Sequence, residues 1–120
     1  MCLPKRGVIY IMAWYTFTAS GFSMMPSIKP GQIVYVNSDS KNDIEVGDIV
    51  VYKKNSLRCH RIMKKYVINR KKVYITKGDN NETMDQYLIY EDDIVGKVEL
   101  QNPFSGDATY YNSNYSNEKR

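Results

Sequence analysis

Few residues of this chain can do chemistry, and one serine among them stands in a distinctive local context. Ser23 lies within residues 20–28, which read SGFSMMPSI. Gly21 can adopt backbone angles that a Cβ forbids, Pro26 locks its own φ, and the two methionines are soft apolar groups that can anchor a turn. The pattern predicts a turn that holds the Ser23 hydroxyl in one place. Taken alone, such a stretch favours a structural turn over a catalytic one.

A serine hydroxyl becomes a nucleophile only where a base can take its proton, and the candidate base is the single histidine of the chain. An imidazole has an ordinary pKa of about 6.5, so it can be neutral at working pH and still accept a proton. His60 lies 37 residues after Ser23, which leaves room for two strands and their turns to bring the side chains together. By itself, a lone histidine is more typical of a hydrogen-bonded strand residue.

Two carboxylates near the middle of the chain can orient a histidine base. Both lie in residues 76–85, which read TKGDNNETMD. Asp79 belongs to a turn by composition, so its side chain can be bonding only to its own backbone. Asp85 lies beyond that turn, in a loop that can fold back. The residues themselves leave both acids open, and each taken singly is typical of a loop acid.

Composition is ordinary for one soluble globular domain. The 120 residues are 42% hydrophobic and 25% charged, and the eleven tyrosines favour strands. The net charge of +4 is dispersed apart from Lys64-Lys65 and residues 70–72, so no nucleic-acid partner is expected. Cys2 and Cys59 form neither a disulfide framework nor a metal-binding spacing, so we expect no metal and no cofactor.

The middle of the chain alternates short runs rich in Val, Ile and Tyr with Gly, Pro, Asn and Asp. Such runs predict strands separated by turns, at residues 32–36, 48–53, 57–65, 72–76 and 94–98. Residues 69–71 separate two apolar triplets, 66–68 and 73–75, and predict a hairpin. No long stretch shows the 3.6-residue apolar period of a helix, so the predicted fold class is all-β.

The N-terminal segment, residues 1–19, is apolar but falls short of the roughly 18 consecutive apolar residues of a transmembrane helix. Within it, residues 8–17 predict a strand, either at the edge of the core or apposed to a membrane. Lys5-Arg6 resembles the start of a signal peptide, but cleavage next to Ser20 would strip the support of the serine turn. We therefore favour the strand.

The C-terminal residues 110–120 are polar and predict a disordered tail. The predicted domain accordingly covers residues 20–109, between the apolar segment and the tail.

Together, and in this order, five blocks of the sequence resemble the type I signal peptidase family. They are most similar to its Ser-His branch, found in the endoplasmic reticulum, archaea and some sporulating bacteria. The blocks are SGFSMMPSI at 20–28, GDIVVY at 47–52, HRI at 60–62, TKGDNN at 76–81 with Asp85, and IVGKV at 94–98. A Ser-Met-x-Pro match alone is weak, whereas five blocks with similar spacing are a specific signal.

The resemblance implies an all-β, signal-peptidase/LexA-like catalytic domain of short antiparallel strands. It implies a serine endopeptidase that cleaves signal peptides from preproteins after small residues and needs no cofactor. It makes Ser23 the nucleophile and His60 the general base, where the bacterial Ser-Lys branch carries a lysine. Asp85 matches the orienting acid and Asp79 a supporting position, so Asp85 ranks first and Asp79 second.

The tetrahedral intermediate of such a reaction needs hydrogen-bond donors for its oxyanion. The backbone N–H of Ser23 is the first candidate. Some family members add a serine hydroxyl two residues before the nucleophile, where this chain has Gly21. Ser20 can replace that donor only if the turn has a different shape.

Family members normally carry a transmembrane helix before the serine block, and no such helix is expected in the 22 residues before Ser23. Three expectations stay open: attachment to a membrane surface by the apolar segment, attachment by a membrane-anchored partner subunit, or a soluble or truncated relative. The expected location is the extracytoplasmic or lumenal face of a membrane.

Two rival functions share the same predicted scaffold. One is a peptide-binding domain that does not cut, and the other is a repressor-type regulatory domain. Repressor-type relatives use a Ser-Lys pair and a DNA-binding module, whereas this chain has His60 and no helix-turn-helix pattern before Ser23.

Overall fold

The structure, a computed structural model, describes residues 13–104. These residues form seven strands and two short 3₁₀ helices. The strands are β1 (Trp14–Thr18), β2 (Ile33–Asn37), β3 (Ile49–Lys54), β4 (Ser56–Ile68), β5 (Lys71–Lys77), β6 (Ile89–Tyr90) and β7 (Ile94–Glu99). The 3₁₀ helices are Ser38–Asn42 and Glu91–Asp93. Within the described range, no helix has both the length and the apolar character needed to cross a bilayer.

The seven strands join one antiparallel sheet in the order β1-β2-β7-β3-β4-β5-β6, which confirms the predicted all-β class. All five predicted strands are present with slightly different ends. Strand β6 escaped prediction because two residues are too few to show an alternating pattern. The strand predicted at 8–17 is represented by β1, which pairs with β2. Residues before 13, Cys2 and the predicted tail at 110–120 lie outside the described residues.

The predicted hairpin at residues 69–71 is confirmed and joins β4 to β5. Asn69 and Arg70 have φ values of 51° and 67°, as in a type I′ turn, whose twist matches that of the flanking strands. The runs 57–65 and 66–68, which the sequence suggested as separate, belong to the single strand β4. A bulge between Ile62 and Lys64 shifts the pairing with β5 without ending the strand.

Strand β3 lies between β7 and β4, and alternating side chains bury both of its faces. Ile49 and Val51 belong to one apolar cluster, whereas Val50 and Tyr52 belong to a second. The register pairs Val50 with His60, so the histidine projects on the face of the second cluster. The sheet core therefore supplies the support on which the histidine stands.

The serine turn connects β1 to β2 and is anchored on the first apolar cluster. Met24 and Ile28 are 5% and 1% exposed, and the Ile28 N–H donates to the Met24 carbonyl at 2.9 Å. The Met25 N–H donates to the Phe22 carbonyl at 3.1 Å, and Gly21 has a φ of +77°. The predicted turn and its anchoring methionine are thereby confirmed.

Candidate active site

The serine turn is held in place from the other side by the loop that follows β5. The backbone N–H of Asn80 donates to the Ser23 carbonyl at 2.7 Å. The N–H of Asp79 contacts the Met24 sulfur at 3.4 Å, and Gly78 packs against Ser23. The position of the Ser23 hydroxyl is therefore set by two segments that are far apart in sequence.

His60 lies in the first half of β4, is 7% exposed, and contacts both Ser23 and Asp85. Its Nε2 is 3.1 Å from Ser23 Oγ, and its Nδ1 is 2.7 Å from Asp85 Oδ2. A carboxylate can only accept, so Nδ1 carries the proton of the neutral ring and Nε2 is left to accept from the serine hydroxyl. We refer to this arrangement as the Ser23–His60–Asp85 row.

The Asp85 carboxylate is oriented by several donors that converge on one oxygen. Besides His60, the Thr76 hydroxyl donates to Oδ2 at 2.6 Å and the Tyr52 hydroxyl donates to it at 3.3 Å. The Asp85 N–H also donates to the Thr76 carbonyl at 2.8 Å, which brings the loop back to the end of β5. Thr76 is fully buried, so this anchor is shielded from water.

A hydroxyl, a base and an acid in one hydrogen-bonded row are the groups that nucleophilic acyl transfer needs. The base can take the hydroxyl proton at Nε2, while the acid stabilises the positive charge that then forms on the ring. The spacing of 37 residues between Ser23 and His60 is spanned by β2 and β3 with their turns.

Asp79 lies in the same loop as Asp85 but makes a different set of contacts. Arg61 Nε donates to its Oδ1 at 2.8 Å and Arg61 Nη2 to its Oδ2 at 2.7 Å. The Ser27 hydroxyl donates to Oδ2 at 2.6 Å, and Arg61 Nη1 donates to the Gly47 carbonyl at 2.7 Å. Asp79 therefore ties the serine turn, β4 and the β5–β6 loop together.

The charges of this pair favour each other's ionised form. Hydrogen bonding from Arg61 holds the pKa of the Asp79 carboxyl below its usual value, and the Ser27 hydroxyl acts in the same direction. Hydrogen bonding to Asp79 correspondingly raises the pKa of Arg61. Asp79 is thus an anion at working pH, engaged with a cation one residue after His60.

A cleft of about 260 Å³ opens beside the row. The serine turn forms one wall, including Ser20 and Gly21, and residues 56–60 of β4 form the other. Strand β4 pairs with β3 from Ser56 onward, but its pairing with β5 begins only at Arg61. Among the described residues, the first part of β4 thus has no strand partner on its second edge, and an open edge can accept an extended peptide.

The candidate oxyanion donors lie at this cleft. The Ser23 N–H has no acceptor within residues 13–104, so it can donate to a bound group. Ser20 is exposed and lines the cleft three residues before Ser23. Gly21 brings no hydroxyl, and its positive φ shapes the backbone between Ser20 and Ser23.

Cys59 also lines the cleft, next to the histidine, but its thiol is 8% exposed and packs in the first apolar cluster. Burial raises the pKa of Cys59 to about 12, and the charge of Asp79 adds to the effect. The thiol is therefore a small apolar group in the cleft wall. No cluster of three metal-ligating side chains occurs in the part of the chain that the structure describes.

The part of the chain that resembles a known family coincides with the sheet. The sequence profile of the Peptidase S24-like family matches residues 12–99. The chain belongs to the Peptidase S24-like family. The matched range begins just before β1 and ends with β7, so the family pattern spans the whole sheet.

Curated relatives of this Peptidase S24-like chain carry the name "Signal peptidase complex catalytic subunit SEC11". The Candida tropicalis protein is 37% identical over 98 residues, which cover 72% of this chain and 58% of the relative. The Colletotrichum graminicola protein is 35% identical over 104 residues, which cover 78% of this chain and 60% of the relative. The resemblance to signal peptidases is confirmed, and the chain spans about three fifths of the length of these relatives.

Several residues around the row of this Peptidase S24-like chain had no role assigned from the sequence. Tyr52 and Thr76 stood inside recognised blocks, but only the strand register places their hydroxyls beside Asp85. Asn55 separates β3 from β4. A hairpin register centred on Asn55 pairs Tyr52 with Arg58, which lies on the same face of the sheet as His60, so this register could have placed Tyr52 near the histidine. Tyr87 follows the last recognised acid and shows no sequence signal.

Proposed function

We propose that this chain is a serine endopeptidase that cleaves signal peptides from preproteins. The observation that carries the proposal is the Ser23–His60–Asp85 row, with distances of 3.1 Å and 2.7 Å, at the edge of an open cleft. Membership of the Peptidase S24-like family and the name that the relatives carry support the same function.

In the first half of the reaction, Ser23 Oγ attacks the carbonyl carbon of the scissile bond while His60 Nε2 takes its proton. The Asp85 carboxylate accepts a hydrogen bond from Nδ1–H of the imidazolium and stabilises its charge, and the Ser23 N–H donates to the oxyanion. The C–N bond then breaks as His60 returns its proton to the leaving amine. An ester between the substrate and Ser23 remains.

In the second half, water replaces the amine. His60 Nε2 takes a proton from the water as its oxygen attacks the ester carbon. The bond from the carbonyl carbon to Ser23 Oγ breaks, and His60 returns the proton to Oγ. The enzyme is restored, and one peptide bond has been hydrolysed by one water molecule.

The substrate is an extended peptide lying beside residues 56–60 of β4. Backbone hydrogen bonds to the open edge of this strand supply affinity that does not depend on sequence. The small volume of the cleft favours small side chains next to the scissile bond. This combination fits a site that recognises many preproteins by backbone shape and side-chain size.

The catalytic unit proposed here covers residues 20–109, with β1 of the preceding segment at the edge of its sheet. The name of the relatives describes a subunit of a complex, which supports a partner subunit for this chain. In this proposal the partner is anchored in a membrane. We propose that this chain acts at the extracytoplasmic or lumenal face of a membrane, where preproteins emerge. The exposed aromatic ring of Tyr15 on β1 suits a membrane interface.

The test is cleavage of a preprotein by the purified chain with detergent present. Ser23→Ala and His60→Ala should each abolish cleavage, whereas Ser40→Ala, a serine in the 3₁₀ helix Ser38–Asn42, should leave it unchanged. Full activity of either row variant would refute the assignment. Peptide binding without cutting, together with no labelling of Ser23 by an organophosphorus reagent, would favour a non-catalytic peptide-binding domain.

A further inference from the structure

Two tyrosine hydroxyls surround the Asp85 carboxylate from the side of β3. Tyr52 is completely buried, and its hydroxyl lies 3.3 Å from both His60 Nδ1 and Asp85 Oδ2. The Tyr87 hydroxyl lies 2.8 Å from the Tyr52 hydroxyl. The Tyr52 ring meets the rings of His60 and Tyr87 edge-on, with centroids 6.2 Å apart in each pair. The titratable groups in contact with Tyr52 are therefore His60, Asp85 and Tyr87.

A phenol has one proton to donate, so its acceptor decides what Tyr52 does. Nδ1 of the neutral His60 ring already carries a proton aimed at Asp85, which leaves the carboxylate as the strongest acceptor within reach. Tyr52 donates to Asp85, and Tyr87 donates to the Tyr52 oxygen. Burial raises the pKa of Tyr52 well above its usual value, so Tyr52 keeps its proton throughout the working range.

We propose that Tyr52, aligned by Tyr87, is a positioning residue that holds the Asp85 carboxylate with its Oδ2 on the Nδ1 proton of His60. A carboxylate with one donor can rotate about its Cβ–Cγ bond. Here Tyr52 donates from β3 and Thr76 from β5, and both meet the same oxygen as the histidine. The inference rests on the proposed function, since it assigns the tyrosine to the same row.

Tyr74 on β5 offers a matched control within the same core. It belongs to the second apolar cluster together with Tyr52, and both side chains are 0% exposed. Its hydroxyl is buried and has no hydrogen-bond partner in the described part of the chain. Tyr74→Phe therefore deletes the same atom from the same cluster without touching the row.

The first experiment measures preprotein cleavage by Tyr52→Phe and Tyr74→Phe across pH. Tyr52→Phe should lower kcat/KM about 10-fold, mainly through kcat, because it removes one hydrogen bond to a charged group of the row. The acidic limb of the pH–rate profile should move to lower pH, since a carboxylate that is held less firmly on the Nδ1 proton stabilises the imidazolium less. Tyr74→Phe should change neither quantity.

The second experiment measures the protonation of His60 directly and does not depend on cleavage. His60 is the only histidine of the chain, so its ring proton signals can be followed by NMR without ambiguity. In Tyr52→Phe the midpoint of this titration should move to lower pH, and in Tyr74→Phe it should stay in place. An unchanged or raised midpoint in folded Tyr52→Phe protein would overturn the positioning role. A lowered midpoint in a chain whose wild type cuts no preprotein would support that role and refute the proposed function alone.

The contribution of Tyr87 is tested by a double-mutant cycle. Tyr87→Phe should lower kcat/KM about 3-fold, because Tyr52 keeps its own hydroxyl but loses the partner that directs it. In the Tyr52→Phe background the same change should have no further effect, since the two residues act in series. Losses that multiply would show that Tyr87 does not act through Tyr52 and would overturn its aligning role.

Discussion

Gly78 lies directly against Ser23. A Cβ built on Gly78 would be 2.6 Å from the Ser23 carbonyl oxygen and 3.0 Å from the Ser23 Cβ. Real Cβ atoms essentially never approach backbone at the first of these distances, so Gly78→Ala must displace the serine turn or the loop. We expect kcat to fall about 100-fold, since a displacement of this size misplaces the attacking hydroxyl. The measurement is the rate of preprotein cleavage with saturating substrate.

Gly96 on β7 provides the control for this substitution. A Cβ there would lie 2.5 Å from the Asn37 carbonyl oxygen, a similar backbone clash in another part of the sheet. Gly78→Ala and Gly96→Ala should each cost about 1–3 kcal/mol of unfolding free energy. Only Gly78→Ala should reduce kcat of the folded fraction, and equal kcat values in the two variants would contradict a specific effect on Ser23.

Substitution of the two acids of the β5–β6 loop should lower kcat to different extents. Asp85→Asn replaces the acceptor of the His60 Nδ1 proton and should lower kcat about 10³- to 10⁴-fold with the fold intact. Asp79→Asn should lower activity only as far as it loosens the serine turn. Circular dichroism verifies folding of both variants. A larger loss of kcat in folded Asp79→Asn than in Asp85→Asn would reverse the ranking of the two acids.

The Asp79–Arg61 pair should make stability depend on acid pH. The pKa of Asp79 is lowered in the folded protein, chiefly by hydrogen bonding from Arg61, whereas an unfolded chain has a carboxyl pKa of about 3.9. The pair therefore stabilises the fold above that value, and its contribution disappears as the pH falls through the lower, folded pKa. Asp79→Asn should cost about 1–2 kcal/mol at pH 7, because both side chains are partly exposed to screening solvent.

Urea unfolding at pH 7 and at about pH 2.5 measures this dependence. The difference between wild type and Asp79→Asn should shrink at the lower pH, which lies below the carboxyl pKa of the unfolded chain, so that the unfolded state binds the proton. Asp92→Asn, a change at an exposed carboxylate, should leave the unfolding free energy unchanged at both pH values. A difference that stays constant with pH would show that Asp79 stabilises the fold without its charge.

The Cys59 thiol should resist modification although it lines the cleft. Burial raises its pKa to about 12, so almost no thiolate is present at pH 8. In a Cys2→Ser background, reaction with a disulfide reagent should be at least about 100-fold slower in the folded protein than in urea. Equal rates in the two states would mean that the first apolar cluster opens readily.

Short-range sequence patterns were enough to predict the strands, the turns and which residues could react. A continuous apolar run marks β3, because a strand with both faces buried is apolar on each side. Asn69 adopts a positive φ at low cost, so the β4–β5 turn follows from its residue type. The same short-range logic placed Ser23 on an anchored turn. These features depend on neighbours in the chain, whose influence does not require the rest of the fold.

Contacts between distant segments depended on the folded chain. Both Asp79 and Asp85 are loop acids, and only the return of the loop to Thr76 brings Asp85 against His60 while Asp79 meets Arg61. The hydrogen bond from Ser27 to Asp79 joins residues 52 positions apart, and the contact of Gly78 with Ser23 joins residues 55 positions apart. Residue types specify which groups can donate, accept or approach, but close packing of the sheet selects the pairs, because each partner must also fit the space that all others leave.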